Sequence, residues 1–143
     1  MSLSNITTYQ IGLAQVQAYR KLQDLFRMGL LPFGLTIPEW TLLGVVFDAE
    51  ELTLSQITAL LKSKASHPTV LVDALVGRGL LDRRSDSFDR RSRLVTVTPK
   101  GKEMVPEIEK HVRAHLSQEL RSIPYESLLN YYSVLAMLSA MRD

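Results

Sequence analysis

The sequence predicts a mainly α chain with a small β-hairpin, and three features point there. Apolar residues recur every three or four positions along most of the 143 residues, Pro and Gly cut that pattern into separate segments, and one alternating run, Leu94 to Val97, follows a dense cluster of charge. The length is enough for one hydrophobic core and short for two, so residues 1–143 are expected to form a single domain.

The elements follow in order. From Ile6, the residues Tyr9, Leu13, Val16, Tyr19, Leu22 and Phe26 form one stripe of a long amphipathic helix that should end near Gly29. The segment MGLLPFGL breaks it, because Gly29, Pro32 and Gly34 interrupt a helix. Thr36 and Glu39 make a capping box around Pro38 and start a second helix, EWTLLGVVF. Thr53 and Gln56 repeat that signature before ITALLK. Ser66 is the expected N-cap of a helix with Pro68 in its first turn, Leu71, Val72 and Leu75 facing inward, and Gly77 and Gly79 at its end.

A hairpin comes next. Leu80 to Arg84 should pair with Arg93 to Thr98, since Leu94, Val95 and Val97 are strand formers, and Ser85 to Ser92 form its tip. Thr98 and Pro99 then start a long helix with Val105, Ile108, Val112, Leu116 and Leu120 on one stripe. Pro124 restarts the chain as a last helix through Leu128, Tyr132, Leu135 and Leu138.

Three short helices followed by a two-stranded hairpin make a winged helix-turn-helix, expected over about residues 36–100. The flanking helices, about 5–29 and 102–142, carry more apolar surface than one small winged domain can cover, so they are expected to dimerise the chain. Charge supports a polyanion partner. Net charge is only +2, yet Lys62 to Arg93 holds eight basic and four acidic residues, leaving nine basic against eleven acidic elsewhere. A basic face on an acidic body is the footprint of a nucleic-acid binder, here double-stranded DNA. The chain has no cysteine, which excludes disulfides and thiolate metal sites. The first nineteen residues are uncharged but polar and have no basic leader, so neither a signal peptide nor a membrane span is expected, and the cytoplasm is the default location.

The run DSFDRRSRLVTVTPKG fits the pattern D-x-x-D-R-R-x-x-x-V-x-x-T-x-x-G and resembles the wing of the MarR (multiple antibiotic resistance regulator) family. LVDALVGRGLLDRR is similar to that family's recognition helix running into its first wing strand, and LTIPEWTLL to its second-helix opening. The resemblance covers the whole chain in element order and is most specific from Leu71 to Gly101. It implies a homodimeric transcription factor, often released from a pseudo-palindromic operator by a small ligand, and a role as repressor.

It also implies roles for residues. The second arginine of the D-R-R triplet, Arg91, enters the minor groove, where a narrow A·T-rich groove concentrates negative potential and a guanidinium sheds its hydration cheaply. Asp89 or Asp86 holds the arginine stem and shapes the wing, while Arg90 and Arg93 serve phosphates. On the recognition helix the exposed start offers Lys64, Ser66, His67, Thr69 and Val70. Many relatives carry a basic residue where Val70 stands, and Pro68 replaces a more usual apolar residue. Thr69, Val70 and Ala74 are suited to thymine methyl groups, with Ser66 and Lys64 on the backbone.

Two further groups bear on possible ligands. His111 and His115 lie one helical turn apart beside Glu107 and Glu119, and zinc-responsive members of the resembling family carry histidines in this region. His67 is the only other histidine, so a zinc-responsive regulator would need carboxylates such as Asp24 or Glu39 as well, and surface histidines beside glutamates are the favoured reading, with no metal and no cofactor. Tyr9, Tyr19, Phe33 and Trp40 are expected to line a pocket for a small aromatic effector, as family members commonly have between winged domain and dimer helices. No nucleophile with an ordered base and no phosphate loop stands out, so an enzyme is not expected. The rival reading is a winged-helix interaction module whose basic face meets a protein.

Overall fold

A computed structural model of the chain describes residues 5–61, 67–85 and 93–142. The first helix, α1, spans Thr8–Leu30, and a capping box closes its start, with Thr7 Oγ1 accepting from the Gln10 N–H and Gln10 Oε1 accepting from the Thr7 N–H. Only its last third is packed. Leu25, Gly29 and Leu30 are buried, whereas the expected stripe residues Tyr9, Leu13, Val16 and Tyr19 are exposed and Leu22 and Phe26 half-buried. Gly29 does not break the helix. It is buried where α1 meets the fifth helix, and a Cβ there would lie 3.4 Å from the His115 ring and 3.5 Å from Val112. The break falls at Leu31–Phe33, a 3₁₀ turn around Pro32 that Gly34 ends at φ 62.

α2, Ile37–Ala49, starts at the expected capping box, Thr36 with Glu39. A short strand β1, Glu51–Thr53, leads into α3, Leu54–Leu61, whose start is bound by Thr53 and Gln56 as the sequence indicates. α4, Pro68–Gly77, has His67 as its N-cap, extended at φ −85, and no side-chain cap bond. Ser66, the expected cap, lies outside the described residues; Pro68 already fixes the first helical φ, and its missing N–H is one the helix leaves unbonded in any case. Gly79, at φ 73, turns the chain into β2, Leu81–Ser85, which pairs antiparallel with β3, Arg93–Val97.

The sheet has three strands where the sequence predicted two. β1 pairs with the other edge of β3, Leu52 opposite Val95, giving the order β1-β3-β2. Buried Leu52, Leu81, Val95 and Val97 join Val72 and Leu75 of α4, Leu42, Leu43 and Val46 of α2, and Ile108 and Val112 of the next helix in one core.

α5 spans Pro99–Glu119, and Thr98 caps it by accepting from the Gly101 N–H at 3.0 Å. The same hydroxyl donates to the Gly79 carbonyl at 2.6 Å, tying the helix start to the turn after α4. Gly101 is required here for space: a Cβ would lie 2.5 Å from the Leu80 carbonyl oxygen and 2.6 Å from Val97 Cγ1. Backbone on one side cannot yield, so Gly101→Ala is expected to destabilise the fold by roughly 1–3 kcal/mol. Urea unfolding checks this, and an unchanged midpoint would refute the close approach. The last helix, α6, Tyr125–Ala140, begins at Pro124 and buries no residue against its own chain.

Candidate nucleic-acid interface

The interface is built on α4. Its inner positions Val72 and Leu75 are fully buried, which turns Thr69, Val70, Asp73 and Ala74 outward by helical geometry. Val70 is 62% exposed, a β-branched apolar side chain held in solvent on a short helix. His67 is exposed at the helix start, close to where the dipole favours an anion. Lys64 and Ser66 lie outside the described residues.

Beside α4 runs the hairpin. Alternation places Arg83 and Arg93 on one face and Arg84 on the other, and Arg84 and Arg93 are exposed at the far rungs, Arg84 opposite Leu94 and Ser85 opposite Arg93. Arg83 shares its face with buried Leu81 and reaches back to α4, where it pairs with the Asp73 carboxylate. That pair removes the negative charge an acid would otherwise present on the outward face of α4, and it ties the first strand to the helix. The tip residues Asp86, Asp89, Arg90 and Arg91 lie outside the described residues.

A second tie fixes the far end of α4. The Arg78 guanidinium donates to the Phe33 carbonyl at 2.7 Å and the Gly34 carbonyl at 2.8 Å, and Lys100 Nζ donates to the Arg78 carbonyl at 3.1 Å. The α4 terminus is thus joined to the turn between α1 and α2 and to the start of α5. Sequence reasoning missed Asp73, Arg78 and Arg83. The only available signal was three charged residues around a helix that is otherwise apolar.

The four aromatics expected to line one pocket do not meet. Trp40 packs on Phe26, ring centroids 5.3 Å apart, and lines a cleft between α2 and α5. Tyr19 lines a different cleft, with Gln23, Arg27 and Leu35. Phe33 meets His111 edge-on at 5.6 Å, and Tyr9 is 77% exposed near the start of α1. A helix pitch of about 5.4 Å separates Tyr9 from Tyr19 by nearly three turns, too far to share one site in one chain.

His111 and His115 are occupied differently from the zinc reading. His111 meets Phe33 edge-on, and His115 sits against Gly29 with its Nε2 buried and unbonded. Among the described residues no three His, Asp or Glu side chains converge as metal ligands. Zinc addition is therefore expected to leave both melting temperature and DNA affinity unchanged; a stoichiometric, chelator-reversible increase in either would restore the zinc reading.

Comparison with known proteins agrees with this geometry. The winged helix DNA-binding domain family matches residues 35–101. An uncharacterized HTH-type transcriptional regulator, YhbI of Bacillus subtilis (strain 168), is 26% identical over 87 residues, covering 61% of this chain and 56% of the relative, so the match spans about half of that relative's length. Among solved structures, a MarR-family transcriptional regulator from Rhodococcus sp. RHA1 superposes with a TM-score of 0.83 at 22% identity, over 95% of this chain and 96% of its own. A cysteine-to-serine mutant of MarR from E. coli, complexed with operator DNA, gives 0.78 at 19% identity over 90% and 92%. CouR from Rhodococcus jostii RHA1, bound to p-coumaroyl-CoA, gives 0.79 at 23% identity over 100% and 98%.

Proposed function

We propose that this chain, which carries a winged helix DNA-binding domain within the fold of the MarR-family regulators, is a ligand-responsive repressor that binds a pseudo-palindromic operator as a homodimer. The observation that carries the reading is the outward face of α4, small and charge-compensated, set between the exposed His67 at its start and the basic strands β2 and β3. A helix of that width fits the major groove. Thr69, Val70 and Ala74 meet thymine methyls and base edges there, with His67, Lys64 and Ser66 near the backbone. Arg91 enters the adjacent minor groove from the wing, Asp86 or Asp89 orders its stem, and Arg90 and Arg93 hold phosphates.

Dimerisation is supported by what the single chain leaves uncovered. α6 has no buried residue, with Tyr132 70% and Leu138 58% exposed, and the first half of α1 is exposed throughout. Contiguous apolar faces at both ends of a chain call for a partner, and a second copy supplies the matching faces with two-fold symmetry. Two α4 helices about 34 Å apart then read successive major grooves on one side of the duplex. Residues about 5–29 and 102–142 serve the dimer, and about 36–100 the DNA. The work is cytoplasmic, and no single helix among the described residues is long and apolar enough to cross a membrane. Operator occupancy blocks transcription, and an effector bound near α2 and α5 shifts α4 through the Arg78 tie.

Selection of bound DNA from a random pool tests the proposal. An inverted repeat with half-sites one helical turn apart is the expected product. Recovery of no enriched sequence, with retention on heparin insensitive to salt, would favour the interaction-module reading instead.

A further inference from the structure

The cleft between α2 and α5 measures about 620 Å³, the size that takes an organic ligand, and Trp40, Gly44, Phe47, Asp48, Ile108 and Glu109 line it. Its walls are largely apolar. Gly44 opens it, since nothing lies within 4 Å of where its Cβ would be, and Trp40 packs against Phe26. All the charge on the lining is negative. Asp48 and Glu109 are its only charged residues among the described ones, and from Thr36 to Leu61 the chain has four acidic residues and no Lys or Arg. Glu109 is paired with Arg113 along α5, whereas Asp48 has no ion-pair partner among the described residues. Asp48 also sits in the last turn of α2, which has no basic residue, so the negative end of the helix dipole adds to its field.

We propose that this cleft binds a small organic cation, its aromatic body against Trp40 and Phe47 and its positive charge beside Asp48. An aromatic carboxylate placed there would meet the unpaired Asp48 and a Glu109 whose cation, Arg113, is already engaged. An indole face, by contrast, attracts an organic cation, and a delocalised cation loses little hydration on entering an apolar cleft. The assignment rests on the effector reading above, and it names the class of effector.

Trp40 is the single tryptophan of the chain, so its fluorescence reports on this cleft. Tetraphenylphosphonium and tetraphenylborate have nearly the same size and shape and opposite charge. The phosphonium is expected to change the Trp40 signal saturably and to bind at least about tenfold more tightly than the borate, although the chain's net charge of +2 favours the borate elsewhere. Asp48→Asn should weaken the phosphonium roughly threefold to fivefold without weakening the borate, while leaving melting temperature and DNA binding unchanged, because Asp48 is exposed and lies on α2, not on the outward face of α4. Equal or tighter binding of the borate overturns the proposal, and so does a phosphonium affinity indifferent to Asp48→Asn. A parallel DNA titration at saturating phosphonium separates the two readings. Release of DNA is expected, whereas a bound cation with DNA affinity unchanged would overturn the effector reading and leave the site in place.

Discussion

Sedimentation at micromolar concentration is expected to show one species of twice the 16.1 kDa chain mass, with a melting temperature that rises with protein concentration. The interface should lie on α6 and the first half of α1. Leu135→Asp and Leu138→Asp each place a charge where a partner helix must pack, and both side chains are exposed in the single chain, so the core around Leu42 and Leu75 is untouched. An unpaired buried charge costs on the order of 3–5 kcal/mol, which weakens self-association about 10²- to 10³-fold or more, since both protomers carry the substitution. Operator affinity should fall with it, because two half-site contacts joined in one molecule bind far more tightly than either alone. A parent protein that sediments only at the chain mass, or Asp variants that remain dimers, would remove α6 from the interface.

The second large effect is expected at the wing, where two kinds of arginine should fail differently. Arg91→Ala should cost roughly 1–3 kcal/mol and relax the preference for A·T pairs flanking the half-sites, because a groove-inserted guanidinium depends on groove width. Arg93→Ala should weaken binding about equally on all sequences and reduce the salt slope by about one unit for the lost phosphate contact. Arg93 is exposed at the end of β3 opposite Ser85, so its loss should leave the melting temperature unchanged. Operator titrations at several salt concentrations, with matched A·T-rich and G·C-rich flanks, distinguish the two. If Arg91→Ala bound both operators as the parent does, the wing would not read DNA.

What the sequence determined by itself was the local structure. Thr36 with Glu39, Thr53 with Gln56, and Thr98 before Gly101 are contacts three residues apart, so the residues that signal them are the residues that make them. Periodicity placed the six helices and the wing strands for the same reason, since helical and strand repeats are properties of neighbours. The D-R-R motif carried the resemblance to the MarR-family wing because it is contiguous. The tertiary structure alone decided which of those surfaces are buried and which distant groups meet. β1 is three residues with no pattern of its own, and it is a strand only because the free edge of β3 satisfies its backbone. Arg78 reaches carbonyls 44 and 45 residues away, Arg83 neutralises Asp73 across a helix–strand corner, and Gly101 is required by a carbonyl of another segment. Four aromatics with suitable chemistry turned out to face four different surroundings, and an acidic, apolar cleft appeared between α2 and α5 where neither helix announces one. Hydrogen bonds along a few residues are written in composition and spacing; contacts that depend on how helices cross exist only once the whole core has packed, because the low-energy crossing is chosen by all its side chains together.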